Sequence, residues 1–369
     1  MKTKTFKSRL LLNLSIILML IVAVLGLSAC SHEHEFETDY SYNETHHWLA
    51  CVDEDCDEKK NYDEHTTGEI CDVCHYGAGA VVTTETSTNY YTNLVEAVAS
   101  VTDNTQTTIT LIKDLDGNGI VVEEGRNIVI DFNGHSYTLT GTMVGSIGTQ
   151  TNGFQLLKGS NITFKNGTIQ HTSTYHADPA DKNLNCYKLV QNYSNLTLED
   201  MVLDASGEDT TSVCDYALSN NCGNILIKGN TQLIADDDDG ADTDEDGNDC
   251  VSAAFDLWYG LFEEYSEGIT VTFDETFTGT VKGFVEYGGH ANTSQPWAEG
   301  WLNKTKLVIK GGNFDIDELF VLTRTTQADA NIEISGGTFD VEIPEDYLAE
   351  GYRVVSLGGS YSVEIDPTA

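Results

Sequence analysis

The residues with the most evident chemistry are the cysteines and histidines before position 77. His46-His47-Trp48-Leu49-Ala50-Cys51 is followed by Cys56, His65 and Cys71-Asp72-Val73-Cys74-His75. Thiolate and imidazole are the ligands of tetrahedral zinc, and Cys71-x2-Cys74 has the spacing of one half of a zinc knuckle. Cys51 and Cys56, set wider, could supply the other half. The site would then hold four thiolates, or three with His65 or His47. The segment has little apolar material, and a piece this short and polar needs a metal or disulfides to fold. Structural zinc is the expected occupant. Two disulfides with solvated histidines, and zinc capture by an exposed His-rich tail, are the alternatives. A catalytic zinc needs an open position in a pocket, which so small a module does not suggest.

Acids dominate the rest of the chemistry. Asp and Glu number 59 against 19 Lys and Arg, a formal charge of −40. Such a surface repels nucleic acid and anionic lipid and favours cations. Asp242, Asp244 and Asp246 before Gly247 match the front of a calcium loop. Ala253 stands where the bidentate Glu would be, so a solvated acidic loop is the alternative. Paired acids with a His or Arg on one repeat strand are not visible, so no catalytic residue is expected. His135 and His290 follow glycines and read as solvated. Trp297 and Trp301 could stack on sugars, whereas Trp258, Tyr259, Phe262 and Tyr265 have helical spacing and read as a core seal. Cys186, Cys214, Cys222 and Cys250 read as small buried hydrophobes at least as readily as bridges.

Two kinds of element must position these residues. The first is at the N-terminus, where Lys2, Lys4, Lys7 and Arg9 precede an apolar run from Leu10 to Leu27. That is the layout of a secretory signal peptide, with a transmembrane helix as the alternative. The run ends in Leu27-Ser28-Ala29-Cys30, which resembles the lipobox of bacterial lipoproteins. The resemblance implies cleavage before Cys30, a diacylglycerol on its thiol, and a place on the outer face of a bacterial cell membrane. Each buried CH₂ of such a lipid contributes roughly 0.8 kcal/mol, so two or three chains anchor stably.

The second element is a repeat. Asn127–Asp131, Asn161–Lys165, Asn195–Glu199, Asn224–Lys228, Lys306–Lys310 and Asn331–Ser335 alternate apolar positions and run into Gly/Asn turns. Recurrence at this spacing marks a solenoid. Ile128 and Ile130, or Ile332 and Ile334, would point inward, and the asparagines could ladder from coil to coil. The expected fold is all-β, a right-handed parallel β-helix in which each coil touches only its neighbours. An antiparallel sandwich is the alternative, but gives no reason for the Asn pattern to recur. Thr92–Val101 reads as an amphipathic helix capping the first coil, with Leu94, Val98 and Val101 on one side. Asp114–Gly119 reads as a turn.

Thr108–Asp114 with Ile130–His135, and Gly336–Phe339 with Tyr347–Tyr352, resemble the opening and closing coils of pectate-lyase-like β-helix proteins on bacterial surfaces. The Cys/His block resembles zinc-ribbon-like modules that follow the lipobox in surface proteins of Gram-positive bacteria, with His75 where those modules carry Gly. The expected organisation is a signal peptide (1–29), the Cys/His module (30–80), a linker and capping helix (81–103), the β-helix (104–341) and a C-terminal cap and tail (342–369). The expected function is display of a binding or adhesion surface for glycans or proteins. The competing expectation is a calcium-dependent polysaccharide lyase or glycoside hydrolase on the same fold.

Overall fold

The alternating repeats fold as strands. A computed structural model describes residues 34–146, 149–172, 186–206, 216–235, 253–259, 263–265, 267–289, 304–316, 318–323 and 325–369. Cys30, Asp242, Asp244, Asp246, Trp297 and Trp301 lie outside the described residues, as do Cys214, Cys250, Phe262 and His290. The chain divides into two compact units, residues 1–76 and 77–369.

The first unit is a three-stranded antiparallel sheet: β1 (Phe36–Tyr42), β2 (His46–Cys51) and β3 (Lys59–Glu64), with β2 central. Asn43 shapes the first turn, its Oδ1 accepting the N–H groups of Thr45 and His46 at 2.9 and 2.8 Å. Every residue of β3 is exposed. Between residues 34 and 76 the only buried side chains are His47 and Cys71. An apolar core is therefore not what holds this sheet together.

The second unit is built from coils that stack into three parallel ladders. The first ladder runs through Thr107–Leu111, Asn127–Asp131, the first halves of Asn161–His171 and Asn195–Asp204, Ile225–Lys228, Ile269–Phe273, Thr305–Ile309 and Ile332–Ile334. The second runs from Leu115–Gly117 and Ser136–Leu139, through the second halves of the two long strands, to Thr338–Phe339. The third runs from Ile120–Val122 and Thr149–Leu156 through Lys188–Asn192, Tyr216–Asn221, Ala253–Tyr259 and Phe284–Gly289 to Val321–Thr323. This is a solenoid-like all-β fold, and the ladders are parallel where a sandwich would be antiparallel. Antiparallel strands stand at the edges. Ala80–Thr83 pairs with Thr107–Leu111, and Ser360–Ile365 pairs with Thr338–Phe339.

Register aligns the repeats as their pattern requires. Ile162 faces Ile128 and Leu196, and Phe164 faces Ile130 and Leu198. All six are buried, as are Ile332 and Ile334. A helix, α1 (Leu94–Ala99), is shorter than its periodicity suggests because Asn93 caps it, accepting the Glu96 N–H at 2.9 Å. Leu94, Ala97 and Val98 are buried in the core, with Val101 beyond the helix end. Cys186 and Cys222 are buried among the same apolar side chains.

Three local expectations differ from the structure. Ile269–Phe273 is a full member of the first ladder that the Asn pattern does not flag. Gly268, with φ 112°, precedes it in place of Asn, and a Cβ there would meet the Lys304 carbonyl oxygen at 2.3 Å. Leu115–Gly117 is a ladder strand rather than part of a turn. Trp258 lies on a strand, not a helix, because that stretch pairs in register with Tyr216–Asn221. Tyr265 still buries its ring, and its hydroxyl donates to the Tyr193 carbonyl.

Phe164 sits between Phe132 and Phe154, edge to face with both, at centroid distances of 6.0 and 5.3 Å. Phe164→Ala is expected to cost about 3–5 kcal/mol in urea unfolding of the second unit, the sum of lost transfer energy and a cavity that rigid ladders cannot close.

Candidate functional site

The two buried residues of the first unit are both metal-binding types. His47 is the second residue of β2, the central strand; His65 follows β3; Cys71 and Cys74 flank a tight turn. That turn is set by the backbone: Cys71 N–H donates to the Tyr76 carbonyl and His75 N–H to the Cys71 carbonyl, both at 2.9 Å. His75 adopts φ 59°, the left-handed region that glycine occupies most easily.

His47, His65, Cys71 and Cys74 bring one donor atom each to within 4.8 Å of one another. His65 Nδ1 lies 3.5 Å from Cys74 Sγ, and His47 Nδ1 lies 3.7 Å from Cys71 Sγ. A tetrahedron with Zn–S and Zn–N bonds of ordinary length has S···N edges of about 3.6 Å. The donor set therefore fits zinc in both type and spacing. His65 is held for the role: its Nε2 bonds the Asn43 carbonyl at 2.8 Å, leaving Nδ1 to face the thiols. Tyr76 stacks on its other side, with a centroid distance of 4.5 Å.

The thiols are tuned unequally. Burial opposes ionisation of Cys71, but the N–H groups of Cys74, Thr66 and Val73 and the His65 ring outweigh it and bring the thiol down to about 5. Burial pushes the Cys74 thiol up, against the Tyr76 N–H and with the help of Cys71. The His65 ring is raised, first by its bond to the Asn43 carbonyl. A thiolate at Cys71 is the form a metal needs.

Cys51 and Cys56 do not join this centre. With His34 they form a second cluster, whose donor atoms also lie within 4.8 Å of one another. The reason is strand geometry. His47 and Cys51 share β2, so four residues of strand rise place them about 13 Å apart. The six sequence-selected residues thus divide into a Cys2His2 set and a Cys pair. His34, which spacing alone did not select, completes the second. Its only signal in the sequence is its place among the histidines at the start of the module.

The second unit carries two polar tracks. Along the first ladder, Asn195 Nδ2 donates to Asn161 Oδ1 at 3.1 Å and Asn224 Nδ2 to Asn195 Oδ1 at 2.9 Å. The Thr270 N–H then closes on Asn224 Oδ1 at 2.8 Å. The amides of Gln106, Asn127, Asn161, Asn195 and Asn224 line a shallow cleft over these coils.

The other track lies on the third ladder, where Asp256 and Glu286 are register partners on adjacent strands. Asp256 accepts from Ser219 Oγ at 2.9 Å and from the Asn220 N–H at 2.7 Å, and Glu286 accepts from Thr323 Oγ1 at 2.5 Å. Both acids are buried. Sequence reading missed this pair because no motif spans the interval between them; only the register brings them together. Of the two solvated-histidine expectations, His135 pairs with Asp114 at 3.3 Å.

Burial, and then the negative charge of Glu286, push the Asp256 carboxyl up to about 7, against Lys188, Ser219 and the Asn220 N–H. The folded state therefore favours the protonated acid. The associated stability is fully present below the ordinary value of 3.8 and is lost as pH rises to about 7. Asp256→Asn removes that loss. In urea unfolding it should gain on the native protein by roughly 2–4 kcal/mol at pH 8 and by clearly less at pH 5. An equal effect at both pH values would contradict the assignment.

Comparison with protein-family models, curated proteins and solved structures finds no match.

Proposed function

We propose that this is a lipid-anchored bacterial surface protein that binds linear neutral glycans along its solenoid, with a zinc-stabilised module at its N-terminal end. The observation that carries the glycan reading is the amide-lined cleft on the first ladder. Successive coils set these amides about 4.8 Å apart. Each amide has two donors and two acceptor lone pairs and spends only part of them within the ladder. The remainder forms a repeating row of donors and acceptors, suited to the hydroxyls of a polymer lying along the axis. The charge of −40 disfavours polyanionic chains. The solenoid is a right-handed parallel β-helix in this reading, with α1 closing its first coil, and Cys30 bears the lipid. The Cys2His2 centre supplies the folding energy that the first unit lacks in apolar burial.

A second reading has its own observation. Asp256 and Glu286 are register partners on adjacent strands, whose backbones lie about 4.8 Å apart, a spacing close to the carboxyl separation of retaining glycosidases. In that reading the protonated Asp256 donates to a leaving oxygen and Glu286 is the partner carboxylate. The calcium-dependent lyase reading rests on Asp242, Asp244 and Asp246, outside the described residues.

The test uses the chain from residue 31 onward against arrays of neutral and acidic linear polysaccharides, followed by calorimetry. Binding to a neutral polymer is expected, weakened at least about tenfold, or 1.4 kcal/mol, by Asn161→Ala with Asn195→Ala. Binding confined to acidic polymers, or unaffected by the two substitutions, would count against the cleft. New reducing ends, abolished by Glu286→Gln, would establish the hydrolase reading instead.

A further inference from the structure

The two Cys/His clusters differ in a way that bears on what each does with a metal. In the first, four donors converge, and two of them, His47 and Cys71, are buried. Four ligands complete a tetrahedron and leave no position for solvent, which is the arrangement of a structural site. In the second, the described residues supply three donors. Cys56 Sγ lies 3.1 Å from His34 Nδ1, and Cys51 Sγ lies 3.9 Å from it. These distances straddle the tetrahedral S···N edge of about 3.6 Å. His34 is exposed, and neither cysteine is buried.

The surroundings differ as well. Asp53, Glu54, Asp55, Asp57 and Glu58 bracket Cys56, and all five are exposed. Carboxylates gathered around a soft-donor site raise the local concentration of divalent cations and speed their arrival. They also shift the site toward cations against any anionic ligand. The segment flanking Cys71 and Cys74 has no such density, with only Glu69 and Asp72.

We infer that His34, Cys51 and Cys56 form a second, exchangeable site for a zinc-class divalent cation, with one coordination position open to water or an external ligand. Two thiolates and one imidazole suit a borderline-soft ion such as zinc, and three protein ligands with an open fourth position allow ligand exchange. The first unit would then combine a closed centre that holds the fold with an open one that loads and releases metal. The inference rests on metal binding by the first unit and is independent of glycan binding by the second.

The test begins with metal analysis of the chain from residue 31 onward, purified in the presence of zinc. Two equivalents are expected. Transfer to a chromogenic chelator should be biphasic, one equivalent leaving at least about tenfold faster than the other. Cys51→Ser with Cys56→Ser should retain one equivalent and lose only the fast phase. His34→Ala, a change at an exposed side chain, should speed that phase further, and near-ultraviolet circular dichroism should show that both variants are folded. In the cobalt-substituted protein, added imidazole should shift the absorption of the fast site alone. One equivalent in the native chain, two slow equivalents, or a Cys51–Cys56 disulfide found by mass would each overturn the second site while leaving the first intact. No bound zinc at all would remove the metal reading of both clusters.

Discussion

A strand advances about 3.3 Å per residue, turns alternate side chains to opposite faces, and lies about 4.8 Å from its neighbour. Both units of this protein depend on that constraint. In the first unit it decides which cysteine can reach which histidine. In the second it decides which residues, dozens of positions apart in sequence, become neighbours. His47 and Cys51 are separated by it; Asp256 and Glu286 are joined by it.

The units meet the same need for stability by different means. The solenoid buries apolar rungs, such as Ile130, Phe164 and Leu198, so that each coil supplies the surface the next one covers. Its edges carry antiparallel strands, which end the ladders with paired backbone. The first unit has no comparable core. Its two buried side chains belong to the donor set, so a metal held by those donors is the proposed source of the energy that orders it. His65 shows the provision made for this, with one ring nitrogen committed to a carbonyl and the other turned toward the thiols.

The solenoid was legible in sequence because its signal is local and repeated. Asn before an alternating strand recurs, and the structure stacks Asn127, Asn161 and Asn195 in register. The coil at Ile269–Phe273 was illegible because a left-handed glycine replaced that asparagine. The metal residues were legible as a set, since thiols and imidazoles at knuckle spacing have few other uses. Their partition was not, because ligand spacing alone does not show that His46–Cys51 is a strand whose rise separates its two ends. The carboxylate pair had no local signal at all. It exists only through the register of the third ladder.

The central claim is that strand geometry splits one apparent Cys/His site into two centres, with Cys71 and Cys74 in one and Cys51 and Cys56 in the other. Cadmium NMR of the metal-substituted protein tests it most directly, since couplings through the Cd–S bond identify the cysteines at each ion. The account predicts two resonances, one coupled to the β-protons of Cys71 and Cys74 and one to those of Cys51 and Cys56. A single resonance coupled to cysteines of both pairs would contradict it.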